Sequence, residues 1–413
     1  MSVSHHQAPA SYGLRSLINL DRTTMTSWPS VDEVAKTDAF PTAIFQLDPH
    51  QEGMLPVAAG RGGPFNIHWE IHGAGPVKLV VRQFLPTIHS PTHSTMPHHL
   101  PVGTKPLTSR RCSVSTESKV TIPCQPHNAH GRRRQTMHFG HLNGDRYSVL
   151  VLDNRGMGRS DKPLMRYSTS AMAADLLEVL DHLSWTEERQ LHLCGISMGG
   201  MIAQELAYVA PHRIASLNLI CTAAAIENTT TFSENMINRI TLLLPKSLDR
   251  TISYTAEKLF PESWLSAPDD AILPDETVPR CREPLGGRGW PYGRFSSNYA
   301  RFSAQEITKQ RDRVGFVKHG FFMQMIAAGW HHKSAAQLRE LGDKVGRDRI
   351  LVIHGTEDNI ISIPHGRKLI EYLKPAKGLI VDGMGHAPVI ERTSWFNDIL
   401  AEMCTTGEQL SGR

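Results

Sequence analysis

The chain has 413 residues, a length that suits two or three domains or one large domain with insertions. Hydrophobic residues make up 40% and charged residues 20%, which excludes a disordered or collagen-like chain. Six cysteines are too few for a disulfide framework. No apolar run approaches the roughly 18 residues needed to cross a bilayer. Residues 1–10 contain His and Pro and no apolar core, so we do not expect secretion. We therefore expect a cytoplasmic protein without a membrane span.

The net charge of +4 is distributed unevenly along the chain. Residues 82–135 hold eight Lys or Arg and a single acid, a net +7 that leaves −3 for the rest. Many prolines and no apolar periodicity predict a disordered basic insertion at about 82–134. Its Arg132, Arg133 and Arg134 suit a solvated loop or, alternatively, a nucleic-acid-binding arm. We favour the loop and expect no nucleic-acid partner, because no aromatic residues interleave these charges.

The apolar pattern predicts strands and helices in alternation. Residues 1–60 show little periodicity and are expected to form a weakly structured N-terminal arm. From residue 147 onward, strands alternate with helices, which predicts an α/β protein whose mostly parallel sheet carries helices on both faces. The predicted strands are Asn66–His72, Val77–Val81, Tyr147–Leu152, Gln190–Cys194, Ile214–Cys221, Ile350–His354 and Gly378–Asp382. The predicted helices are Ser168–Leu183, with Ser168 or Ser170 as its cap, Met198–Val209, Pro364–Leu373 and Thr393–Met403.

A serine lies where a predicted strand meets a helix, in Gly195-Ile196-Ser197-Met198-Gly199. This G-x-S-x-G pattern is that of a nucleophile elbow, whose tight turn raises the serine Oγ above the carboxyl end of the sheet. Glycines are needed on both sides because the neighbouring backbone leaves no room for a Cβ atom. The following helix directs free N–H groups towards the same point. The alternative is a glycine-rich turn in which the serine only caps the helix.

A serine hydroxyl needs a base to become a nucleophile, and two further residues are placed to provide one. His386 follows the predicted strand Gly378–Asp382, and Asp358 follows the predicted strand Ile350–His354. The carboxyl ends of parallel strands share one edge of the sheet, so we expect these side chains to meet near the serine. Each residue alone has a simpler explanation, since a loop aspartate is commonly a cap and a loop histidine is commonly solvated.

The chain order Ser, Asp, His resembles that of the α/β hydrolases, in their lidded esterase and lipase-like branch. The segment Asp153-Asn154-Arg155-Gly156-Met157-Gly158-Arg159-Ser160 is similar to the D-x-R-G-x-G-x-S segment after the family's fourth strand. The resemblance covers about residues 65–81 and 136–405. It implies an α/β-hydrolase fold with a helical lid inserted between two segments of the core. The expected divisions are an N-terminal arm (1–60), a first core segment (61–225), the lid (226–341), a second core segment (342–405) and a tail (406–413).

By residue match, the resemblance implies Ser197 as nucleophile, His386 as base and Asp358 as the acid that orients the imidazole. It also implies that the backbone N–H of Met198 forms half of the oxyanion hole. We therefore expect a serine hydrolase that cleaves a small or medium apolar ester through an acyl-enzyme, with an acyltransferase as the alternative. The expected partner is a small-molecule acyl substrate, and the oligomeric state stays open. No cofactor or metal is implied, and the spacing of Cys112, Cys124, His127 and His130 fits no common zinc finger.

The sequence departs from the family after the third strand, where the second oxyanion donor usually comes from a glycine-rich or His-Gly loop. Here Arg82-Gln83-Phe84-Leu85-Pro86 follows, without a glycine, and the second donor is unknown. Loss of one donor slows such reactions by a factor of about 10²–10³, so a catalytically impaired or non-catalytic relative is a further alternative. Residues 82 to about 133 are either a true insertion or translated intron, which transcript sequencing would distinguish.

Apolar side chains are concentrated near the end of the expected lid, between Gly315 and Trp330. They suit either the wall of a pocket for an acyl chain or ring, or the core of the lid itself. Their helical spacing favours the lid core. If they do form the wall, the candidate substrate-binding residues are Phe322, Met325 and Trp330.

Overall fold

The computed structural model describes residues 28–83, 132–227, 247–285, 289–312 and 314–413. Most of the predicted basic insertion lies outside these residues, and so do the four cysteine and histidine residues considered above as zinc ligands. The described residues form one α/β structure around a central sheet.

The described sheet has eight strands in the order β1-β2-β4-β3-β5-β6-β7-β8. Strand β2 runs antiparallel to both of its neighbours, and every other neighbouring pair is parallel. The strands are β1 (Gln51–Val57), β2 (Phe65–His72), β3 (Val77–Gln83), β4 (Tyr147–Leu152), β5 (Leu191–Ile196), β6 (Ile214–Ile220), β7 (Ile350–Gly355) and β8 (Lys377–Val381). The predicted fold class is confirmed.

Helices cover both faces of this sheet. They are α1 (Val31–Ala35), α2 (Arg132–Gln135), α3 (Thr169–His182), α4 (Met198–Val209), α5 (Leu248–Leu259), α6 (Glu262–Ser266), α7 (Asn298–Arg311), α8 (Lys318–Gly329), α9 (Ala335–Val345), α10 (Ile363–Leu373), α11 (Pro388–Glu391) and α12 (Thr393–Gln409). Short 3₁₀ turns lie at Phe40–Thr42, Pro211–Arg213 and Arg347–Arg349, and a π-helical segment at Thr136–Leu142. No described helix has both the length and the apolar character needed to cross a bilayer.

The alternation of side chains along each strand creates two hydrophobic cores. In β3, Val80 packs into a core formed with α3, α4, α9 and α10. Its neighbours Leu79 and Val81 point to the other face and pack with α1, α5, α7 and α12. Strands buried on both faces have almost continuous apolar sequences, which is why β4 to β7 could be predicted.

Three expected boundaries differ in the structure. Residues 28–60 are not weakly structured throughout, because β1 pairs with β2 along seven residues, from Gln51 opposite Ile71 to Val57 opposite Phe65. The expected tail at 406–413 begins within α12, which continues to Gln409. The expected insertion is also shorter at both ends, since β3 continues to Gln83 and α2 begins at Arg132.

The arginines at the end of the expected insertion are part of the folded core. Arg133 and Arg134 are buried, so neither a solvated loop nor a nucleic-acid-binding arm describes them. Arg133 donates to the carbonyl oxygen of Phe45. Arg134 donates to the carbonyl oxygen of Ile390 (2.7 Å) and to Thr393 Oγ1 (2.9 Å). Their backbone and hydroxyl acceptors come from distant parts of the chain, which a run of charges in the sequence does not show.

Candidate functional site

Ser197 occupies a sharp turn between β5 and α4. Its backbone angles are φ 57° and ψ −128°, a conformation that a residue other than glycine rarely adopts. A Cβ on Gly195 would lie 2.5 Å from the carbonyl oxygen of Gly199, and one on Gly199 would lie 2.2 Å from that of Arg82. The glycines of the motif are therefore required by contacts of the backbone with itself and with β3. This geometry is that of the predicted nucleophile elbow.

The turn is held by hydrogen bonds with β6 and with a residue that follows it. The Ser197 N–H donates to the carbonyl oxygen of Ile220 (3.0 Å), and Thr222 Oγ1 donates to the carbonyl oxygen of Ser197 (2.7 Å). Met198 is the first residue of α4, and the Ser197 side chain does not cap this helix. The first N–H groups of a helix have no acceptor within it, so the Met198 N–H is suited to binding an anionic oxygen.

Asp358 and His386 form a buried pair at the carboxyl ends of β7 and β8. The Nδ1–H of His386 donates to Asp358 Oδ2 at 2.7 Å, and both side chains are fully buried. The other oxygen, Oδ1, accepts from the N–H groups of Ile360 (2.9 Å) and Ile361 (2.8 Å). The two residues that the sequence places after neighbouring strands are therefore in direct contact.

Two opposing effects act on the Asp358 carboxyl. Burial raises its pKa. The charge and hydrogen bond of the adjacent His386, the charge of His354 and the hydrogen bond from the Ile361 N–H outweigh burial and lower the pKa below its ordinary value. Asp358 therefore stays ionised at neutral pH and keeps a proton on His386 Nδ1. The second ring nitrogen of His386, Nε2, is buried and has no hydrogen-bond partner among the described residues. A neutral imidazole oriented in this way presents a lone pair at Nε2.

Helix α5 also contributes to the position of His386. The backbone N–H of His386 donates to the carbonyl oxygen of Leu259 (2.8 Å), at the last residue of α5. A Cβ on the preceding Gly385 would lie 2.5 Å from the same oxygen. The helical region between β6 and β7 thus reaches the loop that carries the histidine.

Two neighbours of Asp358 were not found by sequence reasoning. The Cys221 Sγ lies 3.7 Å from the carbonyl oxygen of Gly385, and Cys221, Asp358 and His386 have their ligand atoms within 4.8 Å of one another. Burial raises the pKa of the Cys221 thiol well above its ordinary value, with the charge of Asp358 adding to the effect. His354 Nε2 lies 3.5 Å from Asp358 Oδ2. A signal existed for Cys221, because it directly follows β6, between the strands that carry the other site residues.

The apolar residues predicted to contact substrate lie on the surface. Phe322 and Met325 belong to α8 and are 53% and 36% exposed, and Trp330, just after the helix, is 71% exposed. The Trp330 ring is covered on one face by the guanidinium of Arg166, 4.7 Å from its centroid. The buried residues of α8 are instead Gly320, Gln324 and Ala327. This placement does not support the predicted wall of a substrate pocket.

The second oxyanion donor is expected directly after β3, and the residues that follow Gln83 lie outside the described part of the chain. Within it, the Arg82 side chain is buried and donates to Asn154 Oδ1. The carbonyl oxygen of Arg82 faces Gly199 at the elbow. The end of β3 therefore adjoins Ser197, as the position of an oxyanion loop requires.

Known proteins resemble this chain in sequence and in fold. The family model described as alpha/beta hydrolase fold matches residues 125–264, and one described as TAP-like protein matches residues 317–409. The chain is 39% identical over 82 residues to 3-oxoadipate enol-lactonase 2 of Acinetobacter baylyi, covering 20% of this chain and 30% of the lactonase. It is 28% identical over 246 residues to the rhodomycin D methylesterase of Streptomyces peucetius, covering 58% and 75% of the two chains.

Solved structures extend the likeness to most of the fold. A thermophilic esterase from Thermogutta terrifontis matches with a TM-score of 0.54 at 17% identity, over 86% of this chain and 99% of the esterase. At this identity the match concerns the fold alone, and the alignment with the enol-lactonase spans less than a third of that protein. The sheet topology and the two family matches together show that the chain belongs to the α/β hydrolase superfamily.

Proposed function

We propose that the protein is a serine hydrolase that cleaves carboxylic esters through an acyl-enzyme on Ser197. The observation that carries this proposal is the buried pair of His386 and Asp358 at 2.7 Å, whose histidine keeps Nε2 without a partner among the described residues. The strained turn of Ser197 at the same edge of the sheet supplies the matching nucleophile.

The proposed reaction assigns one step to each of these groups. His386 Nε2 takes the proton from Ser197 Oγ as this oxygen bonds to the ester carbonyl carbon, and the carbonyl oxygen becomes an anion near the Met198 N–H. The imidazolium then gives its proton to the leaving alcohol as the carbon–oxygen bond breaks. Water repeats the attack with the same proton transfers and releases the acid. Asp358 stays ionised throughout, because it stabilises the imidazolium by charge and hydrogen bond.

The names of the relatives agree with ester chemistry. An enol-lactonase opens a cyclic ester, and a methylesterase cleaves a methyl ester. Both reactions pass through attack on an acyl carbon with an alcohol or enol as leaving group. The proposed substrate is accordingly a small or medium apolar ester, and the same residues would serve an acyltransferase if an alcohol or thiol replaced water.

A second candidate is a catalytically impaired relative that binds ligand without turnover. It is favoured by one observation, the absence of glycine in the sequence Arg82-Gln83-Phe84-Leu85 at and after the end of β3. Without a second donor, the anionic intermediate would have only the Met198 N–H. The expected rate would then be lower by about 10²–10³-fold. The pair of His386 and Asp358 would be present without efficient catalysis.

The test is the mass of the intact protein after treatment with a fluorophosphonate, with Ser197→Ala as the control. We expect one adduct on the native protein and none on the variant, because only an activated serine displaces fluoride. Turnover of p-nitrophenyl esters is expected to fall by about 10⁶-fold in Ser197→Ala, the scale seen when a triad nucleophile is removed. Ester hydrolysis unchanged in a pure variant would contradict the proposal. Absence of an adduct on well-folded protein would favour the impaired relative.

A further inference from the structure

A second cluster of carboxylate and imidazole groups lies on the antiparallel pair β1–β2, apart from the catalytic residues. Glu52 of β1 stands directly opposite Glu70 of β2 in the register of the two strands. Like charges in directly opposed positions destabilise a sheet. His68, two residues before Glu70, points to the same face as Glu70, since side chains alternate along a strand. The arrangement brings two acids and one imidazole together on one face.

The contacts of the His68 ring are unusual for hydrogen bonds. Its side chain is only 4% exposed, and its two nitrogens face three carboxylates. Nε2 lies 3.5 Å from Glu52 Oε2 and 3.8 Å from Glu70 Oε1, and Nδ1 lies 3.4 Å from Asp153 Oδ2. Hydrogen bonds between nitrogen and oxygen are normally about 2.7–3.2 Å long. A buried imidazole thus faces oxygens at distances longer than those of good hydrogen bonds.

These distances suit ligands that share a metal ion. Four ligands at about 2.0–2.1 Å around a tetrahedral zinc ion lie about 3.3 Å from one another. The ligand atoms of Glu52, His68 and Glu70 all lie within 4.8 Å of one another, with His68 Nε2 already within about 0.5 Å of this spacing. We propose that these three side chains bind a divalent transition-metal ion of the zinc class, with solvent as the fourth ligand. Imidazole favours such ions over magnesium and calcium, which prefer oxygen.

The groups behind the proposed ligands are those that a metal site requires. A metal-bound histidine usually gives its other ring N–H to a carboxylate, and His68 Nδ1 faces Asp153 Oδ2. Glu70 Oε2 accepts from His72 Nε2 at 3.2 Å, which leaves Oε1 directed to His68. The hydrogen bond from His72 orients Glu70 without occupying its Oε1, and Asp153 Oδ2 lies 3.4 Å from His68 Nδ1, the ring nitrogen that would not bind the ion. The arrangement thus extends beyond the three ligands.

One cation already contacts the cluster. Arg159 Nη1 lies 2.6 Å from Glu52 Oε2, and both side chains are nearly half exposed. Ion pairs at this level of exposure contribute only about 0–1 kcal/mol. A divalent ion with three protein ligands would displace this guanidinium from Glu52 Oε2. Arg159 is therefore a competitor of the metal, which gives the test a variant with an effect of opposite sign.

A bound ion would join three separate regions of the fold. It would tie β1 to β2 and, through His68 and Asp153, to the loop after β4. That loop carries Asn154, which accepts from Arg82 at the end of β3. The proposed role is structural stabilisation of the sheet edge and this loop, and the ester chemistry does not pass through the ion.

The test measures binding of Zn²⁺ to the full chain after removal of metals by a chelator. Equilibrium dialysis compares wild type with Glu52→Gln, whose half-exposed side chain can be changed without disturbing the core. We expect Glu52→Gln to weaken one zinc site by at least about tenfold, since even loss of an outer contact costs about 10–100-fold. Arg159→Gln should strengthen the same site severalfold, and Glu340→Gln, an exposed acid elsewhere, should leave it unchanged. Mg²⁺ at the same concentration should not compete.

Dialysis does not tell which side chains hold the zinc, so the site is also located directly. Anomalous scattering from a zinc-soaked crystal should show an ion bonded to Glu52, His68 and Glu70. Zinc found only elsewhere, or equal binding by wild type, Glu52→Gln and Arg159→Gln, would overturn the proposal. The cluster would then be a network of ion pairs. Ester hydrolysis by Glu52→Gln is expected to match wild type, so failure of the metal site and failure of the proposed function are distinguishable.

Discussion

Two clusters of histidine and carboxylate in the described part of the chain are built on different strand pairings. Asp358 and His386 lie in loops that follow β7 and β8, which are parallel neighbours. His68 and Glu70 lie inside β2, and Glu52 faces them from β1 across an antiparallel ladder. Both clusters bury an imidazole against a carboxylate.

This contrast between the two clusters shows which side-chain contacts can be predicted from a sequence. The loops that follow parallel strands lie at the same edge of the sheet. The position of a residue directly after such a strand therefore predicts which side chains it can contact. A residue within an antiparallel ladder meets its partner only through the register of two strands. A shift of one residue would reverse the faces of all side chains. The cluster on β1–β2 therefore became visible only in the structure.

After Ser197→Ala, the greatest loss of activity is expected from a change to Asp358, the proposed orienting acid. Asp358→Asn should lower kcat by about 10⁴-fold, because an amide stabilises the wrong tautomer of the histidine and not its charged form. Asp382→Asn is the matched control, since Asp382 directly follows β8, in the same loop as His386, but accepts from Thr356 Oγ1. Steady-state hydrolysis of a p-nitrophenyl ester measures both. Equal losses in the two variants would show that Asp358 has no special role.

Asp175, a buried carboxylate outside both clusters, should contribute to the free energy of unfolding and not to the chemical step. Arg155, which is fully buried, donates to the Asp175 carboxylate from Nε (2.7 Å) and from Nη2 (2.6 Å). Asp175→Asn leaves this guanidinium without its counter-charge, so the free energy of unfolding should fall by about 3–5 kcal/mol. Asp181→Asn on the same helix α3 is the control. Asp181 is 54% exposed in its pair with Arg213, and its loss should cost less than about 1 kcal/mol.

Urea denaturation of both α3 variants, followed by circular dichroism, measures this contrast. Similar losses in Asp175→Asn and Asp181→Asn would mean that burial of the ion pair does not determine its contribution. The kcat of folded Asp175→Asn is expected to stay near that of wild type, in contrast to Asp358→Asn.

A histidine near the β1–β2 cluster should make stability depend on pH. Burial, together with the nearby His72, His50 and Arg280 and against the hydrogen bond to Pro279, lowers the pKa of His141 from its ordinary 6.5 to about 4. Between these pH values the unfolded chain binds a proton that the folded protein does not, so stability falls as the pH falls. The expected slope from this group is about 1.4 kcal/mol per pH unit, fully lost near pH 4.

His141→Gln removes this titration and keeps a donor for the carbonyl oxygen of Pro279, which His141 Nδ1 contacts at 2.6 Å. Urea denaturation between about pH 5 and pH 6 should therefore show a shallower dependence in the variant than in wild type. Other buried histidines contribute equally to both proteins. An identical slope in the two would refute the contribution of His141.

Much of the fold followed from the sequence because its signals are local. Strands β4 to β7 are apolar runs followed by turns, and the elbow at Ser197 is marked by its own glycines. Strand β1 was missed because Gln51–Val57 contains a glycine and a proline and stays largely exposed at the edge of the sheet. Edge strands lack the double-sided burial that makes an interior strand recognisable.

The buried arginines were missed for a related reason. The acceptor of Arg133 is the carbonyl oxygen of Phe45, and the carbonyl oxygen of Ile390 accepts from Arg134. A run of three arginines ordinarily indicates a solvated segment, and no pattern within the run shows which distant carbonyl groups accept from it.

The smallest expected effect concerns a contact that is entirely local. The sequence allowed Ser168 or Ser170 as the cap of α3, and in the structure Ser168 Oγ accepts from the N–H of Ala171 at 3.0 Å. Ser168→Ala should therefore lower the free energy of unfolding by about 1 kcal/mol, the usual contribution of such a cap. Ser170→Ala removes a hydroxyl that lies 3.0 Å from Ser168 Oγ and caps no N–H group, so it should cost only a few tenths of a kcal/mol. Urea denaturation of both variants at neutral pH measures the difference, and a larger loss in Ser170→Ala would reverse the assignment of the cap.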